Sequence, residues 1–205
     1  MNDGFIWAMV ALGLLVVWVR RRSYAIALVA LQAFVLAAGA ISITPERSVA
    51  FLVASLLLFV RALVPCALFA FSVLKTRESA PVRSRISPLT RTILVIVLVL
   101  VLAVLVPSLG LTTRAAEQAS IGLLAIGAAT IISRRPTIFH LLGLLIAENG
   151  IALAAVSVIG GLPLVVELGV AFDLVVVLTV ATAFHARIFT EFGTGDTRHL
   201  RSLRD

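Results

Sequence analysis

Apolar side chains run through this chain in blocks of about 15 to 25 residues, separated by short clusters of arginine, proline and glycine. A block of that length is what crosses a hydrocarbon core of about 30 Å. Seven such blocks are read as spans, at 4–19, 24–43, 49–74, 92–109, 117–133, 137–159 and 162–189. The fold class this predicts is all-α: a polytopic membrane protein of seven transmembrane helices.

The polar clusters between the blocks alternate in charge. Arg20, Arg21 and Arg22 form the first. Lys75, Arg77, Arg83, Arg85 and Arg91 lie in the third, Arg134 and Arg135 in the fifth, and Arg187, Arg198, Arg201 and Arg204 at the tail. These hold 14 of the 17 Lys and Arg residues. The intervening connections carry Arg47 beside Glu46, Arg114 near Glu117, and the uncharged Gly160-Gly161-Leu162-Pro163. Short loops rich in Lys and Arg stay cytoplasmic, so the amino terminus is expected outside and the carboxyl terminus inside. An error in the number of spans would break the alternation.

Composition agrees with this reading. Of 205 residues, 61% are hydrophobic and only 13% charged, about half the charge a soluble domain uses to cover its surface; mean hydropathy is +1.15. The net charge of +7 belongs to the loop pattern and does not argue for nucleic acid. Asp3 precedes the first block and three arginines end it, which reads as a retained span rather than a cleaved leader. The single cysteine, Cys66, excludes an internal disulfide or a cysteine cluster. The chain divides into a three-helix part (1–75), a basic cytoplasmic linker (76–91) with Pro81 and Pro88, a four-helix part (92–189) and a cytoplasmic tail (190–205).

Polar groups inside the spans are the informative ones. A charge at the bilayer centre costs about 2.5–3.5 kcal/mol even on insertion scales, so it needs a partner or a purpose. Glu148 in the sixth span and Asp173 in the seventh are expected at similar depth on antiparallel neighbours joined by the Gly-Gly-Leu-Pro turn. Carboxyls so placed can hold or release a proton near neutral pH, which allows a proton relay; the alternative is a neutral hydrogen-bonding pair that locks helices together. Arg61, four residues before Pro65, is read as the cation facing one of these carboxylates, because Pro65 leaves the Arg61 carbonyl unbonded. Glu167 lies near the outer surface, His185 and His140 near the inner one, and Gln32 is a weaker polar candidate. No ligand spacing for a metal or haem is present.

The sixth-span motif Leu145-Ile146-Ala147-Glu148-Asn149-Gly150, the seventh-span motif Val166-Glu167-Leu168-Gly169-Val170-Ala171-Phe172-Asp173 and the tail Gly195-Asp196-Thr197-Arg198-His199-Leu200-Arg201 resemble the hydrogenase-4 component E family. Arg61 with Pro65 resembles that family's Lys-x-x-x-Pro element, and Gln32 also fits. The region 117–189 is similar to the K subunit of respiratory complex I and the C subunit of multisubunit cation/proton antiporters. The resemblance implies a non-catalytic, multi-pass subunit of a prokaryotic plasma membrane complex, with no redox cofactor, packed against large antiporter-like subunits. Glu148 falls where the first proton-path glutamate of the complex I subunit would be. Arg61 stands in place of a lysine and, since arginine does not readily deprotonate, would hold a carboxylate charged rather than carry a proton. A purely structural connector and a component of a cation/proton antiporter are the alternatives.

Overall fold

A computed structural model describes residues 2–43, 86–158 and the single positions Val60, Val64, Ala67, Phe71, Thr179, Arg187 and Thr190. The described residues form five helices: α1 (Asp3–Trp18), α2 (Arg22–Ile43), α3 (Pro88–Leu105), α4 (Arg114–Ser133) and α5 (Thr137–Val156). Four of them, α2 to α5, are long and apolar enough to cross a membrane; α1 is equally apolar but only 16 residues long. Arg61, Glu167, Asp173 and His185, with most of the third and seventh spans, lie outside the described residues.

Each boundary has a local cause. Asn2, Ser87 and Thr113 cap α1, α3 and α4 by accepting a backbone N–H with their side-chain oxygens. Pro88 sits in the first turn of α3, where a missing N–H costs nothing, and Pro107 follows its C-cap. These signals correct the expected fourth span: the helix runs over 88–105, not 92–109, and Arg91, assigned to the basic linker, is a buried helical residue. The α3–α4 connection turns at Gly110, whose φ of +62° favours glycine. Glu117, in the first turn of α4, accepts from Leu109 N–H at 3.1 Å.

α1 packs against α2, α3 and α4; α5 packs against α4 and α2; α3 lies on the α1/α4 side. The arginine-rich ends of α1, α2, α3, α4 and α5 coincide, because Arg91 and Arg134 both reach Val17. At the opposite end Thr112 N–H bonds Ser157 O at 2.9 Å. Down one side of α3, Ile93, Ile96, Val97, Leu100 and Val104 are exposed. An apolar stripe of that length suits hydrocarbon rather than water.

The α4–α5 contact is the closest in the bundle. An added Cβ on Gly127 would lie 2.5 Å from Gly143 O and 2.8 Å from Ala147, and one on Gly143 would lie 2.7 Å from Gly127 O. Gly150 meets Leu123 in the same way, at 2.9 Å. Gly143, Ala147 and Gly150 recur at i, i+4 and i+7, so they form one face, and their small size lets the two backbones touch.

Candidate functional site

Two polar clusters occur among the described residues, one at mid-depth and one at the arginine-rich end. In the first, Asn149 Nδ2 donates to Gln32 Oε1 at 3.0 Å, and Gln32 Nε2 donates to Met9 O at 2.8 Å. Gln32 is fully buried and Asn149 nearly so. Gln32 lies about 15 Å along α2 from Arg22, and Asn149 about 18 Å along α5 from Thr137, at a rise of 1.5 Å per residue. The chain of bonds therefore ties α5, α2 and α1 together near the middle of their lengths. Gly13 makes room for it, since a Cβ there would lie 3.0 Å from Gln32 Nε2.

Glu148 precedes Asn149 and is buried, with 9% of its surface exposed. Its direction follows from helix geometry. Ala147 and Gly150 face α4 and Asn149 faces α2, whereas Glu148 shares a side with Leu144 and Ile151, four residues before and three after, both exposed. The small residues that flank Glu148 in sequence thus serve the α4 contact, and the carboxyl occupies a different face. The described part of the site holds α5 in rotation on two sides and leaves Glu148 on the third. Among the described residues no three His, Cys, Asp or Glu side chains gather as metal ligands.

At the arginine-rich end the last carbonyls of α1 have no partner within the helix, as at any helix C-terminus. Arg91 Nη1 and Arg134 Nη2 both donate to Val17 O at 2.9 Å, and Arg134 Nη2 reaches Val19 O at 2.5 Å. Arg91 Nη2 also donates to Ile86 O at 2.9 Å. The Arg134 guanidinium lies 4.4 Å over the Phe139 ring, a cation–π contact. Burial, then Arg91, then Arg20 push the Arg134 pKa down to about 10, which leaves it charged at neutral pH. Trp18 Nε1 donates to Thr92 Oγ1 at 3.1 Å beside this cluster.

Of the residues singled out in the sequence, Gln32 and Glu148 are described, on α2 and α5, two helices joined by the bond from Asn149 to Gln32. The Asn149 link between them was not expected, because an amide next to a glutamate gives no sign of which helix it faces. Arg91 and Arg134 were read as loop charges; the Ser87-Pro88 cap was the signal that Arg91 is helical.

No family model matches the chain, and no solved structure matches it. A stretch of 90 residues is 32% identical to uncharacterized protein Rv0085 of Mycobacterium tuberculosis, covering 44% of this chain and 41% of that protein. The chain thus spans about two fifths of the length of the curated relative it matches.

Proposed function

We propose that this chain is a non-catalytic subunit in the membrane arm of a group 4 hydrogenase-type or complex I-related oxidoreductase of a prokaryotic plasma membrane. In this reading it contributes to the intramembrane proton path and anchors large antiporter-like subunits. The observation that carries the proposal is Glu148: an ionisable side chain mid-way along a bilayer-length helix whose rotation is fixed by Asn149–Gln32 and by the glycine contacts with α4. A charge at that depth is costly and marks a pathway or a partner, and a relay group works only if its direction is held. Seven spans with the arginine-rich ends cytoplasmic belong to the same proposal, supported by the alternation of Lys and Arg between connections. Arg61, Asp173, Glu167 and His185 are the further candidates for the path.

The second reading, a structural connector with no titrating role, draws on the Gln32–Asn149 bond and the Gly127–Gly143 contact, both of which join helices without ionisation. Glu148→Gln separates the two. It keeps the volume and removes the titrating proton. The relay predicts loss of proton translocation in an assembled complex of normal subunit content; full translocation in that complex leaves the connector. Affinity purification of the tagged chain identifies the subunits that accompany it, and a chain that purifies alone would overturn both readings.

A further inference from the structure

Where α1 ends, two buried guanidiniums and one exposed one stand within electrostatic reach of each other. Arg91 and Arg134 share the carbonyl of Val17, and Arg20 adds its charge to both. The described acidic residues lie elsewhere: Asp3 and Glu117 at the far ends of α1 and α4, and Glu148 at mid-depth. The negative, C-terminal end of the α1 dipole faces these guanidiniums. Arg134 is 97% removed from solvent, with 3% exposed, yet its Nε and Nη1 make no hydrogen bond. A buried donor without an acceptor costs about 1–3 kcal/mol, more when charged.

We propose that this cluster binds the phosphate of an anionic phospholipid in the leaflet on the arginine-rich side. The inference rests on the chain lying in a membrane and is independent of any relay by Glu148. Three observations favour a headgroup. Trp18 and Tyr24 are exposed at the same level, and Arg21 lies 5.9 Å over the Tyr24 ring; amphipathic aromatic rings of this kind sit among headgroups. The guanidinium fork matches phosphate geometry. The positive side chains come from two helix ends and the α1–α2 connection, and basic pockets between helices are where anionic lipids are held. Arg20 receives the phosphate at the surface, and the buried pair behind it supplies fixed positive potential and, with a rotamer change, the open N–H groups of Arg134.

The test uses the full chain purified in a neutral detergent at about 150 mM salt, near the physiological screening range. Phosphatidylglycerol, phosphatidylcholine with the same acyl chains, and inorganic phosphate are added separately. Retained lipid is read by native mass spectrometry and stability by the thermal midpoint. The wild type should retain phosphatidylglycerol at least about tenfold more tightly than phosphatidylcholine, a difference of about 1.4 kcal/mol, and inorganic phosphate should leave the midpoint unchanged. Arg20→Gln should reduce the preference several-fold; Arg20 is exposed and folding should survive its loss. Arg134→Lys should reduce it further, and Glu148→Gln should leave it intact. Equal retention of the two lipids overturns the proposal, as does an undiminished preference in Arg20→Gln. An inorganic phosphate effect as large as that of phosphatidylglycerol would assign the site to free anions and overturn the headgroup.

Discussion

Gln32 and Asn149 are 117 residues apart in sequence and share a 3.0 Å hydrogen bond at the centre of the bundle. Because Gln32 also donates to Met9 O, its loss takes the acceptor from the buried Asn149 amide and one donor from the Met9 carbonyl together. Gln32→Leu should destabilise the protein by about 1–3 kcal/mol. Adding Asn149→Leu should recover part of that loss, with a coupling of about 0.6–2 kcal/mol, the range for polar contacts between membrane helices. Unfolding of the single and double variants in mixed detergent measures the cycle; strict additivity would contradict the bond.

Gly127→Ala and Gly122→Ala are chemically identical changes one turn and a half apart on α4. The first places a methyl 2.5 Å from Gly143 O, while the second meets nothing within 4 Å. Gly127→Ala should cost about 1–3 kcal/mol or more, as overpacking does. Gly122→Ala should be neutral or stabilise by up to about 1 kcal/mol, since alanine is the better helix former. Thermal midpoints of the two variants provide the comparison, and equal values would refute the close contact.

Arg134 makes a prediction about pH. Burial and the neighbouring Arg91 and Arg20 lower its pKa to about 10 in the folded protein. Below about pH 10 both folded and unfolded chains carry the proton, so Arg134 adds no pH dependence there. Above that value the unfolded chain binds more protons at this site, and stability should rise with pH. The difference in thermal midpoint between wild type and Arg134→Gln should therefore be flat between about pH 6 and pH 9. A slope across that window would mean a different titrating group is coupled to Arg134.

The shared arginine-rich end predicts which positions face the same side of the membrane. In a Cys66→Ala background, Arg20→Cys and Arg135→Cys, both at exposed positions, should react with an impermeant thiol reagent from one side. Thr112→Cys, at the other end, should react from the opposite side. Labelling of positions 20 and 135 from different sides would break the bundle described here.

The helices were legible because bilayer-length apolar blocks leave little choice, and the beginnings of α1, α4 and α5 fall within three residues of the expected spans. The α3 boundary was not, because Arg91 was counted as a loop charge; its bonds to Val17 O and Ile86 O help make a buried guanidinium tolerable there. Glu148 stood out as a carboxylate inside an apolar run. The meaning of its neighbours did not: Ala147, Asn149 and Gly150 face different helices, which a linear motif cannot record. Gly127 attracted no notice, since its role depends on Gly143 arriving opposite it.

The convergence on Val17 also separates the order in which the chain is made from the order in which it is finished. Val17 is synthesised before both of its partners: its carbonyl waits 74 residues for Arg91 and 117 for Arg134. Synthesis proceeds from the amino end, so throughout that interval the end of α1 must take its hydrogen bonds from water or lipid. α1, which is synthesised before the other described helices, is thus among the last of them to acquire its native surroundings.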